Sequence, residues 1–148
     1  MSKLFDLRNT IKADIIAAEI GWVDDTIIIK RQTDLWNDIS TAIGAATHGA
    51  VLHIGVASGS STDDHSLEME LSMPFTILCE PQLAEGQFPE EDLWEDLVKF
   101  LQGKAMEDSG SCLTGFRFKS FSDSELETPG GYKYLARQTI FSKEFSLD

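Results

Sequence analysis

The chain has 148 residues, 42% of them apolar, and its 25 acidic against 12 basic side chains give a formal net charge of −13. That length makes one domain by default, 1–148, able to bury about 68–70% of its unfolded surface. The charge argues against a direct DNA-binding surface, which needs Lys and Arg to neutralise phosphates, and no apolar run approaches the ~18 residues of a membrane span.

The opening Met-Ser-Lys-Leu-Phe-Asp-Leu-Arg has no secretory-type apolar run, so no signal peptide is expected. Leu4, Leu7, Ile11, Ile15 and Ala18 recur at helical spacing and predict one face of a first helix, with Gly21 as its stop. Thr26–Lys30 is β-branched and short, and reads as a strand. Asp34 stands as an N-cap before Leu35, Ile39, Ala42, Ile43 and Ala46, a second helical face ended by Gly49. Val51, Leu52, Ile54 and Val56 form the next strand. Gly55–Gly59 reads as a hairpin turn, and the polar run Gly59–His65 as a loop or hairpin tip.

The most informative segment comes next. Leu67, Met69, Leu71, Met73, Phe75, Ile77 and Cys79 occupy every second position, with Glu68, Glu70, Ser72, Pro74, Thr76 and then Leu78 between them. A period of two places successive side chains on opposite faces, so this is an amphipathic strand with one buried and one wet face. One wet face argues for an antiparallel sheet covered by helices on one side, because a parallel sheet would be apolar on both. Single-domain strands seldom exceed about ten residues, so a bend at Pro74 or a projecting end is expected. Pro74 lacks a backbone donor, which points to an edge or a bulge. A long ribbon of this kind is a natural docking place for another subunit.

Pro89 opens a third helix, with Glu90, Glu91 and Asp92 in its first turn and Leu93, Leu97, Phe100 and Leu101 on its inner face, ended by Gly103. Phe116 and Phe118 alternate with Arg117 and Lys119 in a strand, Pro129-Gly130-Gly131 is a turn, and Tyr132–Phe145 is a last long strand. The apolar residues Phe141, Phe145 and Leu147 favour closure of the sheet by this tail over a partner contact. The expected fold is α+β, a mostly antiparallel sheet with helices packed on one face, in the order α-β-α-β-β-α-β-β, with one long projecting β-ribbon.

No catalytic constellation stands out. His48, His53 and His65 belong to no helical His-Glu pair, and Cys79 and Cys112 are far apart, so a zinc site has little support. Asp63, Asp64 and His65 lack the ligand spacing of a calcium loop. Gly55–Gly59 lacks the Gly-Lys-Ser/Thr ending of a phosphate loop, and no Gly-x-Ser-x-Gly elbow surrounds Ser58, Ser60 or Ser61. No cofactor, metal or enzymatic activity is therefore expected. Cys79, at the apolar phase of the long strand, reads as a small buried thiol, and a reducing compartment fits. Trp36 and Trp94 read as packing at the edge of the core.

The order of these elements, ending near Gln-Thr-Ile-Phe-Ser-Lys-Glu-Phe, resembles the small tail terminator (tail completion) proteins of long-tailed bacteriophages. The likeness covers most of the chain and rests on pattern, since that family has no diagnostic short motif. It implies a structural virion protein, a homo-oligomeric ring, hexameric in that family, between tail tube and neck or connector proteins. The implied location is the virion tail, and host cytoplasm during assembly, with neither membrane nor tight nucleic-acid binding. Ser58, His65, Leu67, Met69, Tyr132, Tyr134 and Phe145 are candidate subunit or partner contacts, and Asp63, Asp64, Glu68 and Glu70 are candidates for an acidic channel wall. Two rival readings stand beside it. One is an acidic monomeric or dimeric binding module, such as an inhibitor, immunity or adaptor protein. The other is a small α+β enzyme using His53 or His48.

Overall fold

The alternating run does become the backbone of a sheet. The computed structural model describes residues 3–29, 50–55, 57–61, 67–79, 91–103, 116–127 and 133–146. In chain order these hold α1 (Lys3–Ala17), a 3-10 turn (Asp24–Thr26), β1 (Ile27–Ile28), β2 (Ala50–Ile54), β3 (Ser58–Ser61), β4 (Glu68–Cys79), α2 (Glu91–Gly103), β5 (Arg117–Glu127) and β6 (Lys133–Ser146). The architecture is α+β, with a mostly antiparallel six-stranded sheet in the order β1-β2-β4-β6-β5 and β3 paired to β4. The predicted helix through Leu35, Ile39, Ala42, Ile43 and Ala46 lies outside the described residues, together with Asp34, Trp36, His48 and Gly49.

Alternation in β4 sets the core. Leu71, Met73, Phe75, Ile77 and Cys79 are each at most 1% exposed. They form one cluster with Leu7, Ile11 and Ile15 of α1 and with Leu93, Leu97 and Leu101 of α2, so both described helices cover the same face. Helical spacing delivers those trios to one side of each helix, and the strand period delivers its partners to one side of the sheet. Phe75 is the centre, with Phe116 and Phe141 edge-on to it at 6.0 and 5.5 Å between ring centroids.

The opposite face is wet only in part. Glu68 and Glu70 are exposed and Ser72, Pro74 and Thr76 half-buried, but Leu78 is buried there with Ile28, Val51 and Tyr134. The reason is local topology. β1 runs parallel to β2, with Ile27 opposite Leu52 and Ile28 opposite His53, and parallel pairs are covered on both faces. The single wet face therefore holds along the antiparallel end and fails at the β1–β2 end.

Two turn assignments need correction. Gly55–Gly59 is not a hairpin turn, since Ser58 and Gly59 belong to β3; of the loop or hairpin tip expected at Gly59–His65, Gly59–Ser61 are strand and residues 62–65 lie outside the described residues. The chain runs on from β2 into β3 along the same edge of β4, whose other edge is paired with β6 from Glu68 to Cys79. Ile54 pairs with Phe75 and Ser58 with Ser72, so the chain between those pairs is one residue longer on this edge than the Met73–Pro74 stretch of β4. That extra residue is a β-bulge. Pro74 thus sits in a central strand, not at an edge. A residue's N–H and C=O leave a strand on the same side, and the Pro74 carbonyl accepts a bond from the Gly55 N–H at 2.8 Å. The donor that proline lacks therefore faces the bulge, where the ladder is already interrupted. Glycine at 55 answers the same crowding, since a Cβ there would lie 2.7 Å from Pro74 Cγ.

Candidate functional site

Two places gather side chains that packing alone does not explain. The first is the end of the ribbon, where β3, β4 and the last residues of β6 run together. Ser60 stands opposite Glu70, and Glu70 stands opposite Glu144 on the other edge. Directly opposed residues share a face, so Glu70 and Glu144 are immediate neighbours on the side away from the helices. Glu68 lies two residues earlier on the same face, and all three carboxylates are exposed. Arg117 approaches Glu144 at 4.0 Å, with both side chains about half exposed, a geometry that contributes little in water. Leu67, immediately before β4, is 54% exposed.

The sequence-level candidates fall into three groups here. Ser58, Leu67, Glu68 and Glu70 lie on the surface of the ribbon end. Met69 is half-buried and pairs with Phe145, which is buried in the main core. Tyr134 is at the far end of β6, buried against Leu78 and Val51, so neither Tyr134 nor Phe145 offers a surface to a partner in this conformation. Asp63, Asp64, His65 and Tyr132 lie outside the described residues. His53 is half-buried on β2 opposite Thr76. Among the described residues no group of three or more His, Cys, Asp or Glu side chains is placed to hold a metal.

The second place is a cation enclosed between α2, β5 and β6. Arg137 is 7% exposed in its side chain, while its two acidic partners, Glu91 and Asp123, are about half exposed. Its Nε and NH2 donate to the two Asp123 oxygens at 2.7 and 2.9 Å, and NH1 donates to both Glu91 oxygens at 2.8 Å. The guanidinium also lies over the rings of Trp94 and Phe121, at 4.6 and 4.8 Å from their centroids. Its pKa is raised above the ordinary arginine value by the bonds to Asp123, opposed by burial, and raised again by Glu91. Trp94 adds a bond from Nε1 to the Thr139 hydroxyl at 2.9 Å. The arrangement pins α2 to the sheet. Arginine is always charged and offers a planar fork, so this is a positioning device and not an acid–base centre.

Reading the sequence missed this cluster. Glu91 was explained by its place in the first helical turn, Trp94 by the helix stripe, and Asp123 and Arg137 by nothing at all. Register brings Asp123 and Arg137 together across β5 and β6, and the packing of α2 on the sheet adds Glu91 and Trp94. The available signal was a charged residue at 137 on the same phase as Phe141 and Phe145. No protein-family model matches this chain, and no curated protein matches it with significance.

Proposed function

We propose that the chain is a structural assembly protein, a ring-forming tail terminator of the kind found in long-tailed bacteriophages, acting by contact and not by catalysis. The observation that carries this reading is the ribbon end. There β3, β4 and β6 extend a sheet edge whose surface holds an exposed leucine, Leu67, beside three exposed carboxylates, Glu68, Glu70 and Glu144. A ring uses head-to-tail contacts between unlike patches, and an exposed strand edge supplies such a patch through main-chain bonds. In the finished ring the ribbon projects from the body and reaches the neighbouring copy. Its acidic face turns toward the channel, where it repels the phosphates of passing DNA. Ser72, Thr76 and Gln138 on that face are uncharged, and Arg117 of β5, opposite Ser142, adds a cation beside Glu144.

The same acidic row would serve a module that occupies a basic site on another protein, which is the runner-up reading. Particle imaging with mass photometry across a concentration series, in the presence of tail tubes, separates the two. Rings of about six copies on tube ends, lost on deleting Ser58–His65 while the circular dichroism spectrum is retained, are the expected result. A deletion variant that still forms rings overturns the ribbon as the ring contact. A stable one-to-one complex with a basic protein, and no ring on tubes, overturns the terminator reading.

A further inference from the structure

We infer that β5 pairs antiparallel with β5 of a second copy, joining two chains into one continuous sheet through a two-fold contact centred on Ser122. This contact uses the free edge of β5, whereas the outer strand of the ribbon is β3, with β4 and β6 between the two. Among the described residues β5 is an edge strand with β6 as its one partner, and every side chain from Lys119 to Glu125 is exposed. A long open edge is a template for pairing unless something covers it.

The order of charges along β5 says what covers it. Its first residues carry Arg117 and Lys119, and its last carry Asp123, Glu125 and Glu127. A second copy laid alongside in parallel would set like against like. Laid antiparallel, it sets the basic half against the acidic half. Opposed residues must share a face, and the β6 register fixes the faces. Phe121, Asp123 and Glu125 stand opposite Thr139, Arg137 and Leu135 and lie on the helix-covered side, while Ser120, Ser122 and Ser124 lie on the other.

Four registers satisfy that rule near the middle of the strand. Centring on Asp123 sets that carboxylate against its own copy, and centring on Ser124 sets Asp123 against Glu125. Centring on Phe121 sets Lys119 against Asp123, whose carboxylate is already bonded through both oxygens to Arg137. Centring on Ser122 sets Lys119 against Glu125, and neither has an ion-pair partner among the described residues. Ser120 then meets Ser124, and the two Phe121 rings become diagonal neighbours, ~7–8 Å apart and within aromatic reach. That covers a phenylalanine left 47% exposed in the single chain. The ladder is irregular between Phe118 and Ser120, and Lys119 is the residue without a partner on β6 there, so the regular contact runs over Ser120–Ser124 and is flanked at each end by the Lys119–Glu125 pair.

Cysteine crosslinking of the full chain in a Cys112→Ser background tests the register. In the S122C variant the two thiols sit on the two-fold axis, so a mild copper–phenanthroline oxidation, removing two electrons and two protons, gives a disulfide-linked dimer. The S120C variant, which faces position 124 of the other copy, gives none. In sedimentation velocity K119E weakens the dimer about tenfold, because the pair occurs twice and both turn repulsive. The charge-swapped K119E/E125K variant restores it. Absence of the S122C self-crosslink, or failure of the swap to restore association, overturns the inference. So does a crosslink from S122C to S60C of another copy in its place, which would assign this edge to a head-to-tail ring contact. The S58–H65 deletion leaves this dimer intact, so its loss and the loss of rings are distinguishable.

Discussion

Arg137 allows a test of which charge in the cluster is the buried one. Its side chain is 7% exposed, against 48% for Glu91 and 49% for Asp123. Removing the arginine, as in Arg137→Met, leaves two carboxylates that rehydrate where they stand, and methionine keeps much of the packing under Trp94. The loss is then two well-aligned but half-exposed pairs at about 0.5–1 kcal/mol each, plus ring contacts of about 0.5–1 kcal/mol. The sum is about 2 kcal/mol. Removing both acids, as in Glu91→Gln with Asp123→Asn, leaves a buried cation without either of these counter-charges. That costs about 3 kcal/mol or more, because the guanidinium stays charged at every pH at which proteins fold. Its raised pKa has the same consequence. Stability from a raised pKa is present below the unfolded value and lost only as pH climbs through the folded one, far outside the working range. Each single acid variant, with the other carboxylate still in place, costs about 1 kcal/mol. Urea unfolding with m-values compared between variants gives all four numbers. If the double loss equals the sum of the single losses within about 0.5 kcal/mol, or if Arg137→Met is the most damaging change, the account of the cluster is wrong.

Three further outcomes follow from the geometry. Gly55→Ala places a methyl 2.7 Å from Pro74 Cγ, where a closed ring cannot swing aside; a loss of about 1–3 kcal/mol in chemical denaturation is expected, and wild-type stability would show that the bulge adapts freely. Phe75→Ala, in the middle of the Phe75–Phe116–Phe141 group, should cost about 3–5 kcal/mol; a loss below about 1.5 kcal/mol would remove it from the centre of the core. Glu70→Gln relieves a like-charge pair directly opposite Glu144, so a thermal melt at low salt should show a gain of about 0.2–1 kcal/mol, shrinking as salt screens the repulsion.

Patterns with a short period were legible in the sequence, and long-range register was not. The alternating strand from Leu67 to Cys79, the trio Leu7, Ile11 and Ile15, and the trio Leu93, Leu97 and Leu101 follow from local spacing; both trios and the strand's apolar positions from Leu71 to Cys79 are buried as the spacing requires, while Met69 is half-buried and Leu67 is 54% exposed. The buried thiol of Cys79 follows from the same alternation. The chain's passage from β2 to β3 was read as a turn, because Gly55 and Gly59 suit a turn as well as a bulge and only the register against β4 separates the two. Leu78 broke the alternation for a reason invisible locally, the parallel placement of Ile28 beside β2. At the candidate site, Glu68 and Glu70 were found by phase. Glu144 was missed because its proximity to Glu70 comes from pairing across 74 residues of chain separation.

The charges that stabilise this fold and the charges that burden it lie in different places. Around Arg137 each carboxylate has a bonded partner, and their removal is expected to weaken the sheet. At the ribbon end Glu70 and Glu144 face each other; the Arg117 guanidinium stands 4.0 Å from the Glu144 carboxylate, and the Lys143 ammonium donates to the Glu144 backbone carbonyl at 3.3 Å. Like charges directly opposite one another destabilise a sheet, so stability alone would favour threonine, lysine or glutamine at position 70. The burden is tolerable because the site is exposed and water screens the pair. It also sits beyond Pro74 and the bulge, where the ladder of β4 changes partner from β2 to β3. The packed half of β4, whose residues Phe75, Ile77 and Cys79 hold both helices, lies on the other side of that change. A body that tolerates an unfavourable acidic surface at one end suits the proposed use of the ribbon as a contact surface.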